Sequence, residues 1–574
     1  DEKKPKCSNC IKKHIDVCDY SIVLQWGGRP YKNRQNKTKK LPNTVVIDGI
    51  VTVKEHKKDA CKNSSQYTEL ILVDEKFQSV PNFEDPSLEL DIPEVFSPSF
   101  KKLTAEPDIS SAATVFSLSS PNPIDLFSLH LPLPLPDVLT SSPYYTDLFD
   151  FFLKETANLF VPAPQRIYDT NPFNTLLPQM AMQNSTLLNL MLAFAANHRN
   201  KILTFQDDPM SLPLDEIFNF NVVTSDGTLA NELLTKTFNE LLSTLMDSNK
   251  RNSDSTLATI LLLAAFDIFF SDTRNKWRAH VYGARKIMMQ KLEINSSGNL
   301  AIPHHGNDCD PQFFLSRWFS YIDIISSLSS ANAAIRTEKL SSLSYEFSYL
   351  ENEKIIEGKR LKLQDIEYFT GMDARLLSFL AAVASMVDKR ESCNLENIPH
   401  EILLKTLELD HEITNHLTQS ELERDNIYSK YYSKKTDWST NSKYEAYSTL
   451  RATNMIFGLT GVLQLKRRVL GIPQHSKIVK DLLLMITRLI ETRIPLGSSA
   501  ECCILFCLFC CGCEIMDESL KECREVYMAH IDALNRRGMS SALQAKYIMQ
   551  ECWSQKKLWW DILREKNLDI TFAV

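Results

Sequence analysis

From about residue 144 almost to the C-terminus, the chain repeats its apolar residues at helical spacing, and this limits its fold more than any other feature. DLFDFFLKETANLF (147–160) is amphipathic, and STLLNLMLAFAANHR (185–199) opens on Ser185, a plausible cap. TLATILLLAAFDIFF (256–270), with Asp254 or Ser255 to cap it, is apolar all round and predicts a central, buried helix. KWRAHVYGARKIMMQKL (276–292), FFLSRWFSYIDIISSLSS (313–330), RLLSFLAAVASMV (375–387) and KYEAYSTLRATNMIFGLTGVLQL (443–465) follow. VKDLLLMITRLIETR (479–493), CCILFCLFCCGC (502–513) and LKECREVYMAHIDALNRR (520–537) continue the pattern. No strand-turn-strand alternation of comparable strength interrupts it, and no fixed repeat marks a solenoid. The expected fold is mainly α: a large all-helical domain over 144–574, preceded by a disordered linker (41–143) and a small, cysteine-bearing head (1–40).

Composition changes ahead of that body. Eleven of the chain's 25 prolines lie between 81 and 143, a span without glycine, so long helices cannot persist there. Residues 41–143 read as an acidic, Pro/Ser-rich and mostly disordered linker. Within it, VTVKEH (51–56) and ELILVDEKF (69–77) could form short strands. LELDIPEVF (88–96) and PIDLFSL (123–129) could dock proteins, although incidental apolar residues explain them as well.

Residues 1–40 hold eleven Lys/Arg against four Asp/Glu, a net +7, so the rest of the chain carries −14. A basic head on an acidic body suggests that the head meets a polyanion and the body does not. No apolar run reaches the length needed to span a bilayer, so no membrane partner is expected. The 14 cysteines follow no secretory signal and read as reduced thiols. The chain begins on Asp rather than Met, which is expected of a processed chain or of a piece of a longer one.

The chemistry concentrates in PKCSNCIKKHIDVCDY (5–20), where Cys7, Cys10 and Cys18 stand in Cys-x2-Cys-x7-Cys spacing. Two thiolates two residues apart can grip one zinc ion across a tight turn, but a closed site needs four ligands. Lys6, Lys12 and Lys13 crowd the sulfurs and favour thiolate. A helical turn from Cys10 would lay Lys12 and Lys13 against phosphates. Arg29 and KNRQNKTKK (32–40), with Lys32 and Arg34, add a basic run suited to phosphate contact or nuclear import, or to a plain solubilising linker. Taken alone, the trio also fits half of a RING-like module or three ordinary thiols.

With Pro5 ahead of it, the trio resembles the second half of the fungal Zn2Cys6 binuclear cluster, with Cys7, Cys10 and Cys18 at the fourth, fifth and sixth ligand positions. The resemblance implies six thiolates sharing two Zn2+ ions and a short helix on double-stranded DNA at CGG-type half-sites. The first half of the cluster, and the lysine that reads base edges, would precede residue 1. Four body segments, NPFNTLLPQMAMQNSTLLNLMLAFAANHR (171–199), STLATILLLAAFDIFFSDTRNKWRAHVYGARKIM (255–288), FFLSRWFSYIDIISSLSS (313–330) and LFCLFCCGCEIMDESLKECREVY (505–527), resemble the fungal-specific transcription factor domain. The branch they resemble is that of arginine- and GABA-pathway regulators. The resemblance implies a nuclear regulator of RNA polymerase II genes that meets coactivators or corepressors, with a small-molecule effector as a further candidate partner.

Packing supplies the other readings. Trp277, His280 and Gly283 share one helix face, and His280 reads as a hydrogen-bonded core histidine. Asp323 is expected to satisfy a neighbouring helix or a buried arginine such as Arg317 or Arg285. HHGNDCD (304–310) lacks metal-binding helical spacing and reads as a solvated loop. Cys507-x2-Cys510 and Cys510-x2-Cys513 lie in an apolar run and read as core. ELERDNIYSKYYSKK (421–435) reads as a solvated helix or loop. No catalytic or cofactor-binding residue is assigned, and no Gly-rich phosphate loop, G-x-S-x-G or H-E-x-x-H occurs. The alternative to a DNA-binding regulator is a helical scaffold with a vestigial zinc motif.

Overall fold

The structure, a computed structural model, describes residues 44–47, 50–53, 135–163, 168, 171–204, 225–270, 276–295, 310–331, 365–393, 398–429 and 438–573. All of them fall in one compact unit. Within 41–143, strands β1 (Thr44–Ile47) and β2 (Ile50–Val53) pair antiparallel, with Ile47 opposite Ile50. Their β-branched residues suit a pleated surface, and the intervening Asp-Gly is the dipeptide that two-residue hairpins favour.

Every other regular element among the described residues is helical, so the fold is mainly α as the periodicity predicts. α1 (Asp137–Ser141) and α2 (Pro143–Phe151) lead into a π-helical turn, Phe152–Thr156. Next come α3 (Leu176–Met182), α4 (Ser185–Leu203), α5 (Ser225–Met246), α6 (Asp254–Phe270), α7 (Lys276–Asn295) and α8 (Pro311–Ser329). α9 (Ala374–Ser392), α10 (His400–Ile427) and α11 (Trp438–Gln464) follow, and α11 runs into a second π turn, Leu465–Val469. α12 (Lys477–Arg493), α13 (Leu505–Glu514), α14 (Cys523–Arg536), α15 (Ser540–Gln555) and α16 (Trp559–Glu565) complete the body.

Two caps differ from expectation by one residue. Asn184, in extended conformation, accepts from the Leu187 amide at 3.0 Å, so Ser185 already lies inside α4. Ser253 Oγ accepts from the Thr256 amide at 3.2 Å ahead of α6, in place of Asp254 or Ser255. Ser, Asn and Asp all cap well, so the backbone decides which of several neighbours takes the position.

α6 is buried from Thr256 through Phe269, and every residue of α13 is buried. α13 packs against α11, α14 and α15, which makes the cysteine-rich segment a central element. Phe160 stacks on Phe173 with centroids 4.8 Å apart, and Phe173 meets Trp318 edge-on at 5.0 Å, joining the α2–α3 region to α8. α11 comes close to two helices through glycines. A Cβ on Gly458 would fall 2.6 Å from the Leu417 side chain of α10, and one on Gly461 would fall 2.8 Å from Leu380 of α9. No helix of the described residues is long and apolar enough to cross a membrane.

Candidate functional site in the helical body

Cys7, Cys10 and Cys18, with Lys6, Lys12, Lys13, Arg29, Lys32 and Arg34, lie outside the described residues. So do 304–309 of HHGNDCD; its last residue, Asp310, caps α8 by accepting from the Gln312 amide at 3.1 Å. No group of three or more His, Cys, Asp or Glu among the described residues is placed to hold a metal ion. What the structure does place are the polar residues of the recurring body segments, and it places them in the interior.

His198, near the end of α4, is the first such residue. Its Nδ1 lies 2.9 Å from Thr156 Oγ1 of the first π turn, and its Nε2 lies 2.8 Å from the Arg537 carbonyl beyond α14. A carbonyl only accepts, so Nε2 carries the proton, donates to it, and leaves Nδ1 to accept the threonine hydroxyl. Burial pushes the imidazole down to about 4, so the ring is neutral at pH 7.

On α7, Trp277 Nε1 donates to the Asp569 carbonyl at 3.2 Å, and Arg278 Nη2 donates to the Asp569 carboxylate at 2.7 Å. These contacts seat the C-terminal tail, whose Phe572 packs on Phe509 of α13 with centroids 4.5 Å apart. His280 is buried and its Nε2 lies 3.2 Å from Asp267 Oδ2 of α6, but neither atom makes a hydrogen bond, so the interior placing agrees with expectation and the hydrogen bond expected of a core histidine is not made at this nitrogen. Asp323 pairs with Arg285, one of the two expected arginines, while Arg317 pairs with Glu367 at 2.9 Å.

The second π turn carries three consecutive basic residues that reach three different helices. Lys466 pairs with Asp410 of α10, Arg467 with Glu514 of α13, and Arg468 with Glu391 of α9. Arg468 also donates to the Leu328 and Ser330 carbonyls, at 2.8 and 2.9 Å, satisfying the C-terminal end of α8. Its guanidinium lies over the Trp559 ring, 5.0 Å from the centroid. π turns fan successive side chains in directions that an α-helix does not offer, which suits a point where several helices meet.

A further ionic joint gathers α9, α10 and α11. Asp373, the N-cap of α9, receives His416 Nε2 at 3.0 Å, Asn454 Nδ2 at 3.1 Å and Arg424 Nη2 at 3.4 Å. Burial alone would raise the Asp373 carboxyl, but the His416 hydrogen bond and the His416 and Arg424 charges hold it at about 2. Arg424 also binds Asp365 at 2.7 Å and Glu421 at 2.6 Å, and Arg451 closes on Glu421 and Asp425. This corrects the solvated reading of 421–435 at its first turn: Arg424 is buried, and three carboxyl groups, those of Asp365, Asp373 and Glu421, converge on it. Sequence reasoning missed the joint because bonded partners in it, such as Asn454 and Asp373, lie 81 positions apart, each surrounded by ordinary residues.

The thiols of α13 are core. Cys507, Cys510, Cys511 and Cys513 are free and fully buried, and burial pushes the Cys511 thiol up to about 12. They are far from the exposed, electropositive setting of a reactive cysteine.

The family model described as the fungal specific transcription factor domain matches residues 147–573. No curated protein matches the chain, and no solved structure does. The matched range takes in His198, Trp277, Asp323, Arg467 and Glu514, the joints described above. A transcription factor domain is not an enzyme family, and on a match across most of its length this chain belongs to the fungal-specific transcription factor domain family.

Proposed function

We propose that this protein is a nuclear, sequence-specific DNA-binding regulator of RNA polymerase II genes whose basic head is held by zinc and whose helical body governs its output. The family match over 147–573 carries the reading, since it makes the body a transcription-factor domain. The head supplies the chemistry: Cys7, Cys10 and Cys18 are thiolate donors at zinc spacing, and Lys6, Lys12, Lys13, Arg29, Lys32 and Arg34 are phosphate-binding residues. Three further thiolates complete a two-zinc cluster, which fixes a short helix against the major groove at CGG-type half-sites. Coactivators or corepressors and a small-molecule effector meet the body. The arginine- and GABA-regulator-like branch belongs to the same reading.

Fluorescence anisotropy with a CGG-containing duplex tests it on the full coding product. Affinity falls steeply as salt rises, and replacing Lys12 or Lys13 by Ala weakens binding across all sequences and lowers the salt slope by about 1 each. Binding that ignores salt, or no binding in dilute buffer, favours the scaffold alternative.

A further inference from the structure

α12 buries Val479, Leu482, Leu483, Ile486, Thr487 and Ile490 against the body and turns its other face to solvent. Lys477, Asp481, Leu484, Arg488 and Glu491 line that face, and all are exposed. They recur at alternating intervals of four and three residues, which makes one stripe along the helix with the spacing of a seam between two helices. Leu484, at the middle of the stripe, is 44% exposed. The four charges around it make no ion pair among the described residues, whereas Lys480 on the flank is taken by Asp517 at 2.7 Å.

Along the stripe the order is plus, minus, leucine, plus, minus, and this order complements itself when reversed. A second α12 set antiparallel about Leu484 brings Lys477 opposite Glu491 of the other copy, since both lie seven residues from the centre. Asp481 comes opposite Arg488 with an offset of one residue, about 1.5 Å, which a long side chain absorbs. The two-fold axis repeats both pairs around the two leucines, so the contact closes on itself. A parallel pairing in register sets each charge on its own kind and is disfavoured. We propose that the outer face of α12 is a self-association surface that pairs antiparallel with α12 of a second copy. One helix face is smaller than the about 800 Å² per partner of stable interfaces, so the dimer is weak and reversible. The pairing uses neither metal nor DNA, so it can fail or hold without touching the proposed function.

Sedimentation velocity of the intact chain over a concentration series tests it. A monomer–dimer equilibrium is expected in dilute salt, and the dimer weakens by about five-fold or more in 1 M salt, where charges are screened within about 3 Å. Asp481→Arg sets like charges face to face at two symmetry-related places and weakens the dimer by about ten-fold or more. Adding Arg488→Asp to that variant restores the complementary order and returns the dimer to within about three-fold of the parent. Both variants keep the parent's helix content by circular dichroism, because the positions are exposed. Glu412→Lys, on the outer face of α10, leaves the equilibrium as it was. A chain that stays monomeric at every concentration, a dimer that Asp481→Arg leaves intact, or a double variant that is not rescued overturns the proposal.

Discussion

Arg467 and Glu514 form an ion pair inside the helical body, Nε to Oε2 at 2.7 Å, with side chains 6% and 2% exposed. The arginine comes from the π turn after α11 and the glutamate from the last position of α13. Burial raises the Glu514 carboxyl against the pull of Arg467, and its Oε1 has no hydrogen-bond partner. A buried pair of this kind contributes little net stability, yet breaking it strands a charge.

Arg467→Met alone is therefore expected to cost about 3–5 kcal/mol, while Arg467→Met with Glu514→Leu recovers most of the loss. Urea unfolding of the single and double variants checks this. A double variant as unstable as the single one contradicts it.

The pH dependence follows from two groups in separate windows. The His198 ring titrates near 4 when folded and near its ordinary 6.5 when unfolded, so the unfolded chain binds the extra proton between those values. Its contribution is full above pH 6.5 and is lost as pH falls toward 4, with a slope of at most about 1.4 kcal/mol per unit. Asp373, held at about 2, contributes fully above its ordinary carboxyl value and loses that contribution only as pH falls toward 2. Melting temperatures from pH 7 to 4.5 should fall, and His198→Asn should flatten that part of the profile. An unchanged slope in the variant contradicts the neutral-ring assignment.

Gly458→Ala places a methyl against Leu417 where α11 crosses α10. Overpacking costs about 1–3 kcal/mol against a helix-propensity gain of about 1 kcal/mol, so net destabilisation is expected. Leu417→Val in the same chain should restore part of it, as thermal unfolding will show.

How much of this was legible beforehand depends on how local each signal was. Apolar spacing exposed α4, α6, α8 and α13, because a helix writes its buried face into its own sequence. It passed over α5 and most of α10, whose outer faces mix leucines with acids and blur the period. The interior placing of His280 and the Arg285–Asp323 pair were legible because residue type narrows the options for a buried polar group. The carbonyl partners of His198 and Arg468 were not, because they are backbone groups distant in sequence, which no side-chain pattern encodes. The head residues Cys7, Cys10 and Cys18 stand on thiolate spacing and resemblance alone, outside the described residues.

The buried thiols give a fourth expectation. Cys502 and Cys511 are pushed up to about 12 by burial, so both stay protonated at pH 8. A disulfide reagent should leave the cysteines of 502–513 unmodified in the folded protein and label them after denaturation. Rapid native labelling of any of them contradicts the core assignment.

The most direct measurement is the zinc content of the full coding product, taken together with its affinity for a CGG-containing duplex. The account predicts about two zinc ions per chain, with metal and DNA binding lost together in Cys7→Ser or Cys18→Ser, because zinc holds structural thiolate sites in their folded form. A metal-free protein, or one that binds the duplex equally well after both substitutions, would contradict it.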